Sequence, residues 1–345
     1  MNFVLSATAN ASDLRQVLQL WDECGDPRNP FARVLISPLF TAPSTFQLVR
    51  DELKERRGST VYFDSGGFYV QQGRIAYEAL YGRLLECYRA NRWADWYVLP
   101  DHVPTSLDAP KVVEKKVNDT ITAARLFFND MPASLRSKAL PVVQGHTEKQ
   151  VADCVEAYVR LGSRYIGFGS FGTSGASSQV NTVTDQSIRM LRLLSVLGQR
   201  HHFKLHLFGV STPPILYVFD RLGICSFDSL AWMKAAGYGN VFLPLVRGYM
   251  VTYRIYDRTH TYQDHFSYLK ELTGHSCAFC EDFSALANNR MHRILHNLAS
   301  VLDTLDILAK GQNGTGKSAR QFSHDAILKI VREGSPTYLR YYEGI

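Results

Sequence analysis

Short apolar runs that end in a polar residue or a glycine recur along the chain. Eight appear in order, and their β-branched and aromatic residues are typical of buried strands: Phe3–Ser6, Arg33–Ser37, Thr60–Asp64, Trp96–Asp101, Leu140–Gly145, Arg164–Gly169, Lys204–Gly209 and Ser226–Leu230. Longer segments with helical spacing lie between them, at Ile75–Ala90, Val112–Phe128, Lys149–Leu161, Asp185–Leu197 and Pro213–Leu222. Strands that alternate with helices predict a parallel sheet, and eight units in about 240 residues favour a closed α/β barrel, the (β/α)8 TIM barrel, over an open doubly wound sheet.

Polar residues stand at the carboxyl ends of the predicted strands, where barrels of this type carry their chemistry. Polar residues end many strands for structural reasons, but acids, an amide and glycines at so many ends favour a functional site. The stretch from Asp64 to Phe68 reads Asp-Ser-Gly-Gly-Phe. Alone it is typical of a tight turn with a capping carboxylate, although its glycines also leave room for a flat ligand. The full set of strand-end residues is Asp64, Asp101, Gln144, Gly145, segment 167–169, Gly209 and Asp228.

Residue types that bind metals follow the eighth predicted strand. His275, Cys277 and Cys280 form a His-x-Cys-x-x-Cys knuckle. A helix-like segment after it contains His292 and His296, which are four residues apart and share a face. Two thiolates and two imidazoles match the tetrahedral preference of Zn²⁺, and either later histidine supplies the fourth ligand. Four protein ligands leave no open position, so the sequence predicts a structural zinc site; free cysteines beside a surface histidine are the simpler alternative.

The segment Gly311–Ser318 matches the phosphate-loop pattern at every position. That loop needs a strand before it and a helix after it, whereas Leu298–Lys310 has helical spacing and only 27 residues follow Ser318. We interpret the segment as a flexible glycine-rich loop, from which Lys317 and Arg320 could touch a phosphate backbone. Nucleotide hydrolysis through this loop is the alternative.

Length and composition suit one large domain or two ordinary ones, and we expect a single soluble domain over residues 1–345. The chain is 46% hydrophobic, and it lacks any run near the roughly 20 apolar residues that span a bilayer. The first residues lack the basic start of a signal peptide, so we expect a cytoplasmic protein without a membrane partner. Six scattered cysteines do not form a disulfide framework. The net charge of +6 permits a polyanionic partner without requiring one.

Taken in order, the motifs resemble those of the tRNA-guanine transglycosylase superfamily over roughly residues 60–300. Members of this family are (β/α)8 barrels with a zinc subdomain after the last strand, here expected at about residues 250–300, and they exchange a guanine in nucleic acid for a 7-deazaguanine. Each matching motif is short, but the ordered set is fairly specific: Phe63–Phe68 (Asp-Ser-Gly-Gly), Val143–Gly145 (Gln-Gly), Tyr165–Gly172 (glycine-rich base-binding strand), Leu207–Ser211 (Gly-Val) and Ser226–Ser229 (Phe-Asp). The triplet His296-Asn-Leu298 resembles the family's His-Asn-Leu and implies that His296 is the fourth zinc ligand.

Several departures point away from a tRNA substrate. His275 stands where the family's zinc motif begins with a cysteine, the interval from Cys280 to His296 is short, and Phe168 replaces the second glycine of the glycine-rich strand. The Pro-Thr-Arg that follows the family's Phe-Asp motif is absent, and we expect no appended RNA-binding domain. These differences resemble the DNA-modifying branch, the DpdA-type (deoxypurine in DNA) proteins of bacteria and phages. Those insert 7-cyano-7-deazaguanine, a queuosine-related base, or a relative of it into DNA.

The resemblance implies roles for two carboxylates. Asp228 would be the nucleophile that attacks C1′ of the sugar and forms a covalent intermediate, as in retaining glycosidases. Asp64 would be the general acid and base, protonating the departing guanine and deprotonating its replacement. Such a transferase needs its target base flipped out of the helix or single-stranded.

The same resemblance implies a base-binding set. Asp101 would accept hydrogen bonds from N1 and the 2-amino group of a guanine-like base, and Gln144 would serve the O6 side. Backbone groups of Phe168 and Gly169 would read O6 or the 7-substituent, and the ring of Phe68, Tyr69 or Phe168 would stack on the base. Ser65, Gly66 and Gly145 complete the expected substrate-binding residues.

Two other functions stay open at this point. A tRNA-guanine transglycosylase would perform the same chemistry on RNA. A non-catalytic, zinc-containing barrel that binds nucleic acid or a partner subunit belongs to another class, and the presence of both Asp64 and Asp228 argues against it. The expected partners are DNA or tRNA and a 7-deazaguanine base, while a homodimer or helper proteins are left undecided.

Overall fold

A computed structural model describes residues 1–174, 180–210, 212–252, 259–313 and 323–342. Nine strands form one sheet in which every pairing is parallel. These are β1 (Asn2–Ser6), β2 (Arg33–Ile36), β3 (Thr60–Phe63), β4 (Trp96–Val98), β5 (Ala139–Leu140), β6 (Val142–Val143), β7 (Tyr165–Phe168), β10 (Lys204–Leu207) and β11 (Ser226–Ser229). Two antiparallel hairpins, β8 (Gly172–Ser174) with β9 (Val180–Thr182) and β12 (Asn240–Leu243) with β13 (Val246–Met250), complete the described strands.

The parallel sheet closes almost completely into a barrel. Its order is β5-β4-β3-β2-β1-β11-β10-β7-β6, so the first and last strands of the order are neighbours in the chain, separated only by Pro141. The Pro141 carbonyl accepts a hydrogen bond from the Gly167 N–H at 2.8 Å, while Ala139 pairs with Tyr97 on the other side. Because proline has no N–H to donate, it interrupts the strand ladder at this point.

Helices cover the outside of the sheet. The segments predicted as helical are confirmed within four residues at each end: α4 (Tyr77–Ala90), α5 (Pro110–Asp130), α7 (Glu148–Arg160), α8 (Asp185–His201) and α9 (Pro213–Arg221). Capping boxes start two of them, where the Thr147 and Thr184 side chains accept from the N–H three residues on. The other helices are α1 (Ala11–Glu23), α2 (Pro43–Leu48), a π-helix (Val49–Arg56), α3 (Gly67–Gln71), α6 (Ala133–Arg136), α10 (Ala231–Gly237), α11 (Thr259–Thr273), α12 (Phe283–Asn288), α13 (Arg290–Asn313), α14 (His324–Gly334) and a 3₁₀ turn (Pro336–Tyr341).

The strands have two apolar faces because successive side chains alternate across a sheet. A small cluster inside the barrel contains Val4, Leu35, Tyr62, Leu140 and Tyr165, whereas the larger core lies between the strands and the helices. Val4 is the register partner of Asp228. Asp228 therefore lies on the inner face of the sheet, at the carboxyl end of the barrel.

The predicted strands ran too far at their carboxyl ends. Strand β3 ends at Phe63 and β4 at Val98, so Asp64 begins a loop and Asp101 lies three residues beyond its strand. The apolar pattern continued because the loop residue Leu99 is itself fully buried. Asp228 is different, since it lies within β11 and is held by the sheet on both sides.

The segment after β11 packs beside the barrel through buried polar contacts. The fully buried Asn297 of α13 accepts from the Phe242 N–H at 2.6 Å and donates to the Trp232 carbonyl at 2.9 Å. These bonds join α13 to β12 and α10. Among the described residues, no helix has the length and apolarity of a membrane span.

The element that precedes the glycine-rich loop is helix α13. It runs through Gly311 to Asn313, so a helix and not a strand precedes that loop, as predicted. Lys317, Ser318 and Arg320 lie outside the described residues, and so does Ser211 of the Gly-Val motif.

Candidate functional site

Three carboxyl groups gather at the carboxyl end of the barrel. Asp64 follows β3, Asp101 follows β4, and Asp228 stands in β11. The pKa of Asp64 is raised to about 7, first by its burial and then by the negative charges of Asp101 and Asp228. Asp64 is thus electrostatically coupled to each of the other two carboxyl groups, and its raised pKa gives it both protonation states near neutral pH.

Asp64 is oriented by its neighbours in two loops. Its Oδ2 accepts from the Ser37 hydroxyl at 2.6 Å and from the Gly66 N–H at 3.2 Å. Both bonds oppose the rise of its pKa, because they favour the ionised form. Gly66 has φ +86°, and a Cβ there would lie 2.5 Å from the Phe40 ring, so this turn requires glycine.

Asp101 and Gln144 form a buried polar chain beside Asp64. Ser65 donates to Asp101 Oδ1 at 2.6 Å, and the Gln144 Nε2 donates to Oδ2 at 2.7 Å. The Ser170 hydroxyl donates to Gln144 Oε1 at 2.5 Å and accepts from the Gly145 N–H at 2.7 Å. Burial raises the pKa of Asp101, while the bonds from Ser65 and Gln144 oppose that rise. These hydrogen bonds hold the Asp101 carboxyl in one orientation before any ligand binds.

Two glycines leave space for the hydrogen-bonded side chains of Asp101 and Gln144. A Cβ on Gly67 would lie 2.6 Å from Asp101 Oδ1, and a Cβ on Gly169 would lie 2.7 Å from Gln144 Nε2. Real Cβ atoms do not approach polar atoms so closely, so neither position accepts a side chain without moving the carboxyl or the amide. The space was expected to serve a flat ligand; the structure shows the protein's own side chains occupying it.

Asp228 is nearly buried, with 5% of its surface exposed, and is fixed at both oxygens. The Ser6 hydroxyl donates to Oδ2 at 2.6 Å, and the Gly209 N–H donates to Oδ1 at 2.9 Å. The Nε2 of His206 lies 3.4 Å from the same Oδ1. Ser6 had ended the first predicted strand, but nothing in the sequence singled it out as a partner of Asp228.

His206 is a functional candidate that sequence reasoning missed. Its ring is fully buried and its Nδ1 lies 2.7 Å from the Ser226 hydroxyl, which contacts the Tyr165 hydroxyl in turn. The Tyr62 ring stacks on it at 5.6 Å between centroids. These contacts hold the imidazole with Nε2 toward Asp228, so His206 is a positioning residue. In the sequence, His206 could have been noticed because it stands in a predicted strand at a position whose side chain points into the barrel.

The aromatic residues proposed to stack on a base occupy different environments. Tyr69 stacks on Phe40 with centroids 3.9 Å apart, and the nearby Asp64 helps to raise the pKa of its hydroxyl, after burial. Phe68 is partly exposed and has the Lys234 ammonium 6.0 Å from its ring centroid. The Phe168 ring is fully buried in the outer core, 5.2 Å from Phe171, so its proposed stacking is wrong. Its carbonyl accepts from the Phe208 N–H at 3.0 Å.

A second cluster, distant in sequence from the strand ends, can hold a metal ion. One ligand atom each from His275, Cys277, Cys280 and His296 lies within 4.8 Å of all the others. The Nε2 of His275 and both ring nitrogens of His296 are buried without a hydrogen-bond partner, a costly state that a bound cation relieves. Burial also lowers the pKa of His296 to about 4, so its ring is neutral, as a ligand must be. His292 is outside this cluster and packs its ring against Phe279.

A carboxylate holds one of these histidines and ties the cluster to the barrel. Asp303 Oδ2 lies 2.6 Å from His275 Nδ1, which leaves Nε2 as the ligand atom. The other oxygen of Asp303 accepts a short hydrogen bond from Arg28, and Arg28 also pairs with Asp26 at 2.6 Å. Arg28 lies between α1 and β2, so this network links the metal cluster to the first barrel unit.

Comparison of the sequence with known proteins does not assign the chain to a family. No protein-family model matches the chain, and no curated protein matches it. The functional assignment therefore rests on the residues themselves and on their arrangement.

Proposed function

We propose that the protein is a base-exchange transglycosylase that replaces guanine in DNA with a 7-deazaguanine, 7-cyano-7-deazaguanine or a relative. The observation that carries the proposal is the pairing of two unlike carboxyl groups at one barrel mouth. Asp64 has a pKa of about 7 and so can carry a proton near neutral pH, whereas the Asp228 carboxylate is fixed in the sheet with one oxygen held by Ser6 and the other by the Gly209 N–H. Carboxyl groups whose environments separate them in this way divide into a proton carrier and a nucleophile.

In the first step an Asp228 carboxylate oxygen attacks C1′ of the target nucleotide. The C1′–N9 bond breaks, its electron pair stays on the guanine, and protonated Asp64 gives its proton to that base. In the second step ionised Asp64 takes a proton from the incoming 7-deazaguanine, whose nitrogen attacks C1′. The bond from C1′ to Asp228 then breaks and its electron pair returns to the carboxylate. Two displacements at one carbon retain the configuration of the sugar.

The Asp101–Gln144 chain supplies base selectivity in this account. The Asp101 carboxylate, already oriented by Ser65 and Gln144, would use its remaining lone pairs to accept from adjacent N–H groups on one edge of a guanine, and a base that lacks those donors would not form these hydrogen bonds. The Gln144 amide and the backbone near Gly169 would contact the other edge. A planar base would pack against Phe68 or Tyr69, which lie beside Asp64 in sequence and remain partly exposed.

The finer architecture belongs to the same proposal. Counting β5 and β6 as one strand interrupted at Pro141 gives eight strands and a single (β/α)8 domain over residues 1–345. The metal cluster would then be a structural zinc site in a subdomain at about residues 250–300, since four protein ligands fill a tetrahedral ion's positions. We place the enzyme in the cytoplasm, with DNA and a free 7-deazaguanine as its partners. The motif departures favour DNA over tRNA.

The exchange assay tests the proposal directly. Wild-type protein is incubated with labelled guanine or 7-deazaguanine and either DNA or tRNA, and label in the polymer is counted. We expect incorporation into DNA, and a loss of at least about 1,000-fold in Asp228→Ala, because no other group takes over the covalent step. Asp185→Ala removes an exposed carboxylate at the start of α8 and is the matched control.

Incorporation of label only into tRNA would show that the protein performs the same base exchange on RNA and not on DNA. Full exchange activity in Asp228→Ala would contradict the nucleophile. Nucleic-acid binding without exchange in the wild type would favour a non-catalytic barrel.

The raised pKa of Asp64 predicts a pH dependence of the first chemical step. The proton donor exists below about pH 7, so single-turnover release of guanine should slow as the pH rises through that value. Asp64→Asn should lose this step at every pH. A rate that stays level from about pH 6 to about pH 8 would contradict the assignment.

Replacing Asp64 should change stability in the direction opposite to its effect on activity. Its pKa lies above the ordinary 3.8, so its contribution to stability is present at low pH and is lost as the pH rises through 7. Asp64→Asn should therefore raise the unfolding temperature at about pH 8 and change it little at about pH 4.

Metal analysis tests the zinc assignment. Protein purified without chelator should hold about one zinc per chain, and Cys280→Ser should lose the metal and unfold at a lower temperature because two buried histidines then lack a partner. His292→Ala and Cys87→Ser are matched controls that should keep the metal, since both residues lie outside the cluster. Zinc far below one per chain in the wild type would contradict the site.

A further inference from the structure

A second cavity opens at the opposite end of the barrel from the three carboxyl groups. We call it the lower cavity. Its volume is about 630 Å³, within the range of small-ligand sites. It lies across the amino ends of the barrel strands, where Arg33, Thr60, Trp96, Tyr165 and Lys204 line it.

The lining is strongly basic. It includes Arg33, Arg136, Arg164 and Lys204 and contains no acidic residue. Within the described part of the chain, no salt bridge joins any of these four groups to a carboxylate. Asp95 lies near the cavity wall, where its negative charge adds a little to the effect of burial in raising the pKa of Tyr62. That charge is neutralised by the Lys54 ammonium, 2.7 Å away. The cavity therefore has a positive potential without an internal counter-charge.

Aromatic rings form the inner wall. Trp96 lies nearly parallel to Tyr62, with centroids 6.4 Å apart, and meets Tyr165 edge-on at 4.8 Å. Phe128 has the Arg136 guanidinium 5.9 Å from its ring centroid. Hydroxyl groups add hydrogen-bonding capacity, and the Ser163 hydroxyl is buried without a partner. Cations and aromatic faces in one hollow are the chemistry that receives a planar base attached to a phosphate.

Stability alone does not account for this composition. The amino-terminal face of such a barrel ordinarily serves folding, but unpaired like charges around one hollow repel each other and weaken the folded state. Filling the hollow with apolar side chains would stabilise the barrel more than leaving aromatic rings beside water.

We propose that the lower cavity is a nucleotide-binding site, with the base against Trp96 and the phosphate near Arg164 and Lys204. The ligand chemistry is that of a nucleoside monophosphate, supplied either as a free nucleotide or as the terminal nucleotide of a single strand. The proposal is independent of the base-exchange reaction, because it uses the opposite end of the barrel and none of the residues assigned to the chemistry or to base binding; Tyr62 and Tyr165, which line the cavity, support His206 from behind.

Calorimetry with adenosine monophosphate tests the site while avoiding the guanine-selective upper mouth. We expect saturable binding that weakens as salt is added, with adenosine alone and inorganic phosphate alone binding more weakly. The double variant Arg164→Gln/Lys204→Gln should lose about tenfold or more in affinity, as expected for lost charge-assisted contacts. Both residues are exposed and outside the core, so the fold should be retained.

Lys111→Gln/Lys149→Gln is the matched control, since it removes two exposed charges at the starts of α5 and α7. It should bind the nucleotide as the wild type does. Quenching of tryptophan fluorescence by the nucleotide should be lost in Trp96→Phe. A short single-stranded oligonucleotide that binds with the same dependence on Arg164 and Lys204 would identify a strand end as the source, and binding of the mononucleotide only would identify the free nucleotide.

Three outcomes would overturn the proposal. The first is an absence of saturable binding in the wild type. The second is equal weakening in the two double variants, which would show a general charge effect. The third is weakening by Asp101→Asn but not by Arg164→Gln/Lys204→Gln, which would place the nucleotide in the upper mouth.

Discussion

The cost of gathering three carboxyl groups at one end of the barrel, with Asp101 and Asp228 buried and Asp64 partly exposed, organises this protein's candidate site. Ionised acids repel each other and lose solvation on burial, so each must be stabilised by hydrogen bonds or take up a proton. Asp101 and Asp228 receive hydrogen bonds from Ser65, Gln144, Ser6 and Gly209. Asp64 also accepts hydrogen bonds, from Ser37 and Gly66, but desolvation and the charges of Asp101 and Asp228 outweigh them and raise its pKa to about 7.

The barrel-like sheet makes this arrangement rigid. Ser6 and Asp228 are 222 residues apart in sequence, yet they stand on neighbouring parallel strands. Behind them His206, Ser226 and Tyr165 form a buried polar column through the barrel interior. A nucleophile fixed at both oxygens loses little entropy when it reacts, and a proton carrier on a loop beyond β3 can serve both departing and incoming bases. The proposed division of labour follows from where each acid is attached.

Much of this could be read from the sequence, because strand and helix periodicities are local. The apolar runs located the strands, and the acids at their ends located Asp64, Asp101 and Asp228 at one rim. The partners of these acids were missed, because Ser6, Ser37 and Asp303 are ordinary polar residues until the fold brings them to an acid or a histidine. Phe168 was misjudged for a different reason: alternation with the inward Tyr165 and Gly167 places its ring outward, and the glycine-rich motif drew attention away from that parity. Helical spacing alone could not separate His292 from His296; the His-Asn-Leu resemblance favoured His296, and the packing of α13 against the knuckle places that residue in the cluster.

The central claim is that Asp228 forms a covalent bond to the sugar of a DNA nucleotide. The most direct measurement is mass spectrometry of the protein after incubation with a guanine-containing oligodeoxynucleotide, without an incoming base, followed by denaturation and digestion. The account predicts an adduct of the DNA on the peptide that contains Asp228, absent in Asp228→Asn and discharged when a 7-deazaguanine is added before denaturation. An adduct on another residue, or base exchange that proceeds with no adduct under any of these conditions, would contradict it.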